Sequence, residues 1–317
     1  MDKEVKTQQI NLIDLIPKRW IDNDGNVDLW VSAYFCWSST VVDTTSYRCD
    51  EIEDVFYLLA HTQQEYFDVD LSYVGDDGKE LSFNHKLNVK KTPAGLHLIF
   101  YTPSGGKSGV SEAEANAKME VARGLVLACE GENATYVHLY SQELQLPTGR
   151  INMRGPVFVN PLTSPMPFQD KNRLVVASKN LSKLEANTKA RVNLALRWMD
   201  KSASERDHID SFLKIWFALE TIAMPNTTNI KPLIQAMASI YGVTYQEAIS
   251  VFEIGRIQDL RASIVHNGIV PIIHYQLLNY LSAIFSDLLF NLLGMQSERR
   301  ALGALSNPQF AQMDWRP

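Results

Sequence analysis

Arg261 and His266 lie five residues apart, and their side chains together could support metal-free cleavage of an RNA phosphodiester. In that reaction the 2′-hydroxyl loses a proton, the 5′-oxygen gains one, and the crowded phosphate carries additional negative charge. Histidine exchanges protons near neutral pH, and the guanidinium of arginine matches the geometry of phosphate oxygens. Because an Arg-x4-His spacing arises by chance in roughly a few in ten chains of this length, the surrounding sequence must decide its meaning.

Asn267 and Gly268 follow this pair directly, and the dipeptide favours a left-handed helix C-terminus. The preceding periodicity predicts a helix over residues 256–265. Because five residues rotate about 140° around an ideal α-helix, Arg261 and His266 would not share one face of an unbroken helix. We expect the imidazole to lie in or beyond the last turn, where it can approach Arg261 or a partner subunit. Asn267 would then hydrogen-bond the phosphate or the imidazole.

Glu220 is a carboxylate inside the apolar helical segment 212–222. A carboxylate at such a boundary between helices usually needs a partner. It either forms a structural salt bridge at an exposed edge, or it orients Arg261 or His266. Arg261 and His266 also have a simpler interpretation. Arg261 would be a surface arginine, and His266 would interact with the negative end of the helix dipole.

A glycine-rich segment at residues 105–108 (Gly-Gly-Lys-Ser) lies between a predicted strand and a predicted helix, as in a phosphate-binding loop. The complete motif requires a glycine at the position that Tyr101 occupies. The following helix also begins only at Ser111, too late to place Lys107 at its N-terminus. We therefore predict a flexible loop here.

The remaining candidates for metal binding have no spacing typical of a metal site. The histidines of the first half are scattered, without a His-x-x-x-His or His-Glu-x-x-His pattern; they are His61, His85, His97 and His138. Paired carboxylates fall in predicted turns or on exposed faces, where solvation is expected; they are Glu51 with Glu53 and Asp76 with Asp77. We predict neither a metal nor a cofactor.

The composition is that of an ordinary globular protein. The length of 317 residues favours two domains, and 45% of the residues are apolar and 21% charged. A net charge of −6 and an isoelectric point near 5.7 argue against a protein that coats itself in nucleic acid, but they do not exclude a locally basic cleft. Without a signal-peptide core or a run of about 18 apolar residues, we expect a cytoplasmic protein with no membrane span. The odd number of cysteines indicates reduced thiols; they are Cys36, Cys49 and Cys129.

Residues 1–160 predict an α+β domain with antiparallel strands and one clear helix. Aromatic, β-branched or alternating apolar residues predict strands at residues 27–37, 54–59, 66–73, 96–101, 136–140 and 157–159. The helix begins at Ser111, which forms a potential capping box with Glu114. Its apolar stripe comprises Met119, Ala122, Val126 and Cys129.

Residues 171–295 predict an all-helical bundle, because apolar residues recur at helical spacing. The predicted helices cover residues 181–199, 207–224, 230–241, 244–252, 256–265 and 273–293, with a second capping box at Thr244 and Glu247. Residues 161–170 are rich in proline and predict a linker between the two domains. Residues 296–317 are a polar tail that we expect to be mobile or irregularly packed.

Three segments of the helical half resemble the HEPN superfamily, and most closely its Apea-like group. Residues 190–199 (Ala-Arg-Val-Asn-Leu-Ala-Leu-Arg-Trp-Met) are similar to the first core helix of that group. Residues 211–220 (Ser-Phe-Leu-Lys-Ile-Trp-Phe-Ala-Leu-Glu) are similar to its helix with a Leu-Trp-Ala-Leu-Glu pattern. Residues 260–268, which contain Arg261 and His266, are similar to its Arg-x4–6-His signature. The resemblance covers about residues 170–295, and the first half shows none.

The resemblance implies an antiparallel helical bundle that forms a homodimer and cleaves RNA without a metal ion. Arg261 and His266 would line a composite cleft. Similar proteins act in anti-phage defence, in toxin–antitoxin pairs and in RNA-targeting CRISPR effectors, which implies a phage-derived or antitoxin protein as a further partner. The first domain would then be a sensor or regulator. One residue departs from the family pattern: Ala262 follows the arginine, where active members often have a polar residue.

Two main hypotheses follow. In the first, the protein is a HEPN-type endoribonuclease in which His266 acts as general base or acid and Arg261 stabilises the pentacoordinate phosphate, with Asn267 and Glu220 supporting them. In the second, the bundle is a non-catalytic dimerisation module and the first domain recognises a protein or a small ligand; Ala262 and the acidic net charge favour this alternative. An unrelated enzyme in the first half has no nucleophile–base pair or metal set to support it.

Overall fold

The computed structural model describes residues 12–36, 48–62, 70–74, 80–84, 95–104, 110–130, 136–146, 150–153 and 173–307. Contacts between residues divide the chain into two compact units. The first comprises Met1–Met119 and Asn133–Phe168, and the second comprises Glu120–Glu132 and Gln169–Pro317. Helix α2 (Glu112–Glu130) crosses this boundary, so its second half belongs to the helical unit, whereas the sequence assigned the whole helix to the first domain.

Among the described residues, six strands of the first unit form one sheet in the order β2-β3-β6-β1-β7-β8, and every neighbouring pair is antiparallel. β4 and β5 form a separate antiparallel pair. The predicted antiparallel sheet is therefore confirmed. A short helix, α1 (Leu12–Leu15), precedes the strands, which are β1 (Val27–Cys36), β2 (Arg48–Ile52), β3 (Val55–Thr62), β4 (Asp70–Val74), β5 (Glu80–Asn84), β6 (Gly95–Pro103), β7 (Tyr136–Leu146) and β8 (Arg150–Met153).

β1 is an interior strand with both of its faces covered. On one face, Val27, Leu29 and Val31 belong to a buried apolar cluster. On the other face, the indole N–H of Trp30 donates a hydrogen bond to Asn116 Oδ1 of α2 at 3.1 Å. Successive side chains of a strand point to opposite faces. This arrangement explains why β1 is a nearly continuous apolar run in the sequence rather than an alternating one.

Most predicted strands correspond to observed ones. The strands predicted at 27–37, 54–59 and 96–101 correspond to β1, β3 and β6, and those at 66–73 and 136–140 correspond to β4 and β7. β2, β5 and β8 have no predicted counterpart, because each is only four or five residues long and partly charged or polar. Their pairing partners, rather than their own pattern, make them strands. The strand at 157–159, the loop at 105–108 and the linker at 161–170 lie outside the described residues.

The second unit is mostly helical, as the sequence predicts. Besides the second half of α2, its helices are α3 (Arg173–Ser182), α4 (Ala186–Ala203), α5 (His208–Ala223), α6 (Lys231–Tyr241), α7 (Tyr245–Phe252), α8 (Ile254–Asn267), α9 (Tyr275–Leu292) and α10 (Arg300–Leu305). The capping box of Thr244 and Glu247 at the start of α7 is confirmed. In the part of the chain that the structure describes, every helix is too short or too polar to cross a membrane.

The prediction of one helix over residues 181–199 is wrong at its start. The chain turns between α3 and α4, where the backbone N–H of Lys183 donates to the Asn180 carbonyl at 3.1 Å. Glu185 then precedes α4 with φ −60° and ψ 144°, outside the helical region. The apolar periodicity continues through the turn because Leu181 and Val192 are both buried on the bundle side. Periodicity alone therefore could not reveal the break.

The second half of α2 packs closely against α4. A Cβ atom added to Gly124 would lie 2.1 Å from the carbonyl oxygen of Leu196, so only glycine permits this approach. Beside it, Arg123 donates from Nε to Asp200 Oδ1 at 2.8 Å and from Nη2 to Asp200 Oδ2 at 2.7 Å. Burial raises the pKa of the Asp200 carboxyl above its ordinary value, against the lowering effect of Arg123.

The C-terminal segment is ordered where the structure describes it, so the prediction of an irregular tail is wrong for α10. The fully buried Asp287 accepts hydrogen bonds from Ser297 Oγ at 2.6 Å and from the backbone N–H groups of Arg300 and Ala301 at 3.2 and 3.0 Å. The Tyr241 hydroxyl also donates to Asp287. Burial and this neighbouring carboxylate raise the pKa of Tyr241. The network attaches α10 to α9. Residues 308–317 lie outside the described residues.

Candidate functional site

Helix α5 places Glu220 beside a buried tryptophan. The helix begins at Asp207, whose side chain accepts hydrogen bonds from the backbone N–H groups of Ile209 and Asp210 at 2.7 and 3.2 Å. Trp216 belongs to the buried stripe of α5 and is 1% exposed. Its indole Nε1–H donates to Glu220 Oε1 at 2.6 Å, one helical turn later. This hydrogen bond stabilises the carboxylate at the edge of the apolar stripe.

Helix α8 presents Arg261 to the same carboxylate. Its residues Ile257 and Leu260 are buried. Arg261 Nη2 lies 3.8 Å from Glu220 Oε1, and the two side chains are 23% and 32% exposed. At that distance the pair interacts by charge rather than by a hydrogen bond. Arg261 Nε is buried and has no hydrogen-bond partner among the described residues. Glu220 therefore positions the guanidinium, which retains one buried donor, Nε, that the described residues do not use.

His266 lies in the last turn of α8, which continues without interruption to Asn267. Gly268 ends the helix in the left-handed region with φ 64°, and its N–H donates to the Ser263 carbonyl, as the sequence predicts for a glycine cap. Because the helix is unbroken, Arg261 and His266 point about 140° apart around its axis. Arg261 contacts α5, whereas His266 is exposed. One chain therefore presents the two side chains on different faces of α8.

The segment between α8 and α9 exposes large apolar side chains close in sequence to His266. Val270 is 80% exposed and Ile272 is 79% exposed. The next residue, Ile273, is buried, and its carbonyl accepts a hydrogen bond from His208 Nδ1 at 2.8 Å. The segment is therefore attached to the start of α5 while its apolar side chains face solvent. Neighbouring exposed apolar side chains are typical of a surface that binds another molecule.

The structure brings together two of the four predicted site residues, Arg261 and Glu220. His266 and Asn267 are exposed at the end of α8. The sequence did not reveal the contribution of Trp216, which lies within the apolar segment 212–222. The available signal was the spacing of four residues between Trp216 and Glu220, because side chains at i and i+4 meet on a helix.

The other candidates have structural explanations where the structure describes them. The described residues contain no group of three or more His, Cys, Asp or Glu side chains that could hold a metal ion. Ser111 accepts a hydrogen bond from the backbone N–H of Glu114 at 3.2 Å, which is the predicted cap of α2. Glu51 forms an ion pair with Arg19. Cys129 is a buried free thiol. The side chains of four predicted candidates and of one carboxylate pair lie outside the described residues; these are His61, His85, His97, His138, Asp76 and Asp77.

No family model, no curated protein and no solved structure matches this chain.

Proposed function

We propose that this protein is a metal-independent endoribonuclease of the HEPN type. The observation that supports the proposal most directly is the environment of Arg261. Its guanidinium is largely buried, lies 3.8 Å from Glu220, and has an Nε without a partner among the described residues. A phosphate accepts paired hydrogen bonds from such a fork. A buried donor without a partner is uncommon in a folded protein, which suits a guanidinium that binds a ligand.

In the proposed reaction, His266 takes the proton of the 2′-hydroxyl or gives a proton to the leaving 5′-oxygen, and water accounts for the other proton transfer. The 2′-oxygen attacks phosphorus and the bond to the 5′-oxygen breaks. The products are a 2′,3′-cyclic phosphate and a 5′-hydroxyl. Arg261 stabilises the pentacoordinate phosphate while negative charge accumulates on its oxygens. Glu220, held by Trp216, orients the guanidinium, and Asn267 supplies an amide donor beside His266.

Two copies of the chain complete the proposed site. Because Arg261 and His266 diverge by about 140° on one helix, a phosphate bound to Arg261 is served by the His266 of a second copy. The exposed Val270 and Ile272 give α8 and its following segment an apolar surface for this association. A two-fold arrangement would place two equivalent phosphate sites between the copies.

The biological setting of the proposal rests on the resemblance alone. The helical unit would be a cytoplasmic effector of anti-phage defence or a toxin, and the sheet unit would regulate it. The regulatory partner would be a phage-derived protein or an antitoxin protein.

Cleavage of RNA by the purified protein in EDTA tests the proposal. We expect fragments that end in a 2′,3′-cyclic phosphate, and we expect His266→Ala or Arg261→Ala to slow cleavage by about 100-fold or more. His274→Ala is the matched control, because His274 is an exposed histidine at the start of α9 and has no role in the proposed reaction. Cleavage that is as fast after His266→Ala as before it would show the proposal to be wrong.

The second candidate function is a non-catalytic module that dimerises and binds a protein or a small ligand. Val270 and Ile272 favour it, because their exposure suits protein binding whether or not RNA is cut. Ala262, in place of a polar residue after Arg261, favours it as well. A wild-type protein that forms dimers but leaves RNA intact in EDTA would support this function over the nuclease.

A further inference from the structure

Trp198 of α4 and Phe217 of α5 form an aromatic pair at the surface of the helical unit. Their ring centroids lie 5.4 Å apart, with an angle of 57° between the ring planes. Both side chains are partly exposed, whereas Trp216, the immediate neighbour of Phe217, is 1% exposed. The pair therefore has ring surface that the core does not cover. Aromatic rings with free faces can stack on unpaired nucleic acid bases.

The aromatic pair lies next to the candidate phosphate site. Phe217 and Glu220 are three residues apart on α5, so their side chains are neighbours on the helix surface. Leu213, four residues before Phe217, lies on the same face of α5 and is also partly exposed. Glu220 contacts Arg261 of α8, and Phe217 contacts Trp198 of α4. The partly exposed face of α5 thus lies between Trp198 of α4 and Arg261 of α8.

The face of α4 that bears Trp198 is positively charged. Arg191, Leu194, Trp198 and Lys201 follow one another at helical spacing and share one face of α4. Leu194 is 44% exposed, and Lys201 Nζ lies 5.5 Å from the centroid of the Trp198 ring. The face therefore combines an aromatic and an apolar side chain with a cation at each end.

Two acidic groups beside this face of α4, Glu120 and Asp200, are shared with cations. Glu120 accepts a hydrogen bond from Arg197 Nε at 2.7 Å and lies 3.9 Å from Lys201 Nζ. Asp200 is paired with Arg123 on the side of α4 that faces α2. The charge along this face of α4 consequently remains positive, which suits the phosphates that flank a stacked base.

We propose that Trp198 and Phe217 bind a base of a single-stranded RNA, next to the phosphate held by Arg261. Arg191 and Lys201 would contact the backbone on either side of that base. The base must be unpaired, because stacking on the partly exposed rings requires a face that a duplex does not offer. This inference rests on the proposed nuclease function and adds a preference for single strands to it.

Binding of two uncleavable probes separates the contribution of the bases from that of the charges. The first is a fluorescein-labelled 2′-O-methyl oligouridine, in which the attacking hydroxyl is blocked. The second is a tetrahydrofuran–phosphate oligomer of the same length, which has the charges but no bases. We expect Trp198→Ala to weaken binding of the oligouridine by about 5- to 150-fold and to leave binding of the base-free oligomer within about twofold. A purely structural effect would weaken both probes equally.

Two further variants control the measurement. Trp198→Phe retains a ring and should restore most of the affinity if the loss in Trp198→Ala has its cause in stacking. Ile249→Ala removes an apolar side chain of α7 that is 41% exposed, and it should leave binding of both probes unchanged. Equal affinity of wild type and Trp198→Ala for the oligouridine would overturn the proposal, and so would an equal loss for both probes.

The outcome is separable from that of the nuclease proposal. If RNA is cleaved but Trp198→Ala binds the oligouridine normally, the base site is wrong and the nuclease stands. If wild type does not cleave RNA but binds the oligouridine through Trp198, the helical unit has the base site without the reaction.

Discussion

The indole N–H of Trp216 donates to Glu220 Oε1 at 2.6 Å, and the same oxygen lies 3.8 Å from Arg261 Nη2. The shorter contact holds the carboxylate toward its own helix. A carboxylate released from the indole would be free to close on the guanidinium as a paired, charge-assisted contact. In this arrangement Glu220 interacts with Arg261 by charge, without a direct hydrogen bond between the two side chains.

On the proposed function, Trp216→Phe should reduce RNA affinity, because Glu220 would then compete with phosphate for Arg261. We expect KM for RNA cleavage to rise about tenfold, which corresponds to about 1.4 kcal/mol and matches the value of a hydrogen bond to a charged group. Steady-state cleavage at several RNA concentrations measures it. Adding Glu220→Gln to this variant should restore the affinity, since an amide does not attract Arg261 as a charge. An unchanged KM in Trp216→Phe would argue against competition by Glu220.

Gly124→Ala should destabilise the helical unit, because the new Cβ would lie 2.1 Å from the Leu196 carbonyl oxygen and would force α2 and α4 apart. We expect a loss of about 1–3 kcal/mol in the free energy of unfolding, as for other overpacked sites. Urea denaturation followed by circular dichroism measures it. Gly303→Ala is the matched control, because a Cβ at that helical position meets no atom within 4 Å and should be neutral or stabilise by up to about 1 kcal/mol. Equal effects of the two substitutions would contradict the close approach of the helices.

Asp200→Ala should cost about 3 kcal/mol of stability, because it leaves the largely buried Arg123 without its carboxylate. Burial raises the pKa of Asp200 in the folded protein, so between the unfolded and folded pKa values the unfolded chain binds fewer protons at this group. Its contribution to stability therefore falls as the pH rises through that interval. We expect the difference in free energy of unfolding between wild type and Asp200→Ala to become smaller as the pH rises. Urea denaturation at a series of pH values from acidic to neutral measures it.

Two variants check the cause of this loss. Arg123→Met combined with Asp200→Leu should recover most of it, because an apolar pair incurs no desolvation of charge. Glu120→Gln weakens the more exposed ion pair with Arg197 and should cost less than about 1 kcal/mol. A double variant as unstable as Asp200→Ala would show that packing, rather than the unpaired charge, causes the loss.

A heterodimer of Arg261→Ala and His266→Ala chains should recover activity if each site takes its arginine and its histidine from different copies. One of the two sites then contains both wild-type residues and the other contains neither. We expect about half of the wild-type rate per dimer, measured on heterodimers purified through two different affinity tags. Each mutant homodimer should remain inactive. A heterodimer as inactive as the homodimers would place both residues of a site on the same chain.

Local interactions explain what the sequence predicted correctly. Asp207 bonds to backbone groups two and three residues later, Thr244 and Glu247 cap each other, and Gly268 adopts the left-handed conformation that ends α8. Each of these depends on side chains and backbone within a few residues, and the apolar stripe of α5 follows from the helical repeat. A strand-rich first half followed by a helical second half could be predicted because strands and helices have different apolar repeats.

The tertiary structure alone decided which distant residues meet. Contacts of Glu220 with Arg261, of Gly124 with Leu196 and of Asp287 with the start of α10 depend on how helices far apart in sequence pack together, and no local spacing encodes them. The tertiary structure also decided at which residue α8 ends. A glycine cap predicts a helix end only to within a residue or two, and the continuation to Asn267 turns His266 away from Arg261. Sequence thus determined the chemistry available in this protein, whereas helix packing determined which of its groups can act together.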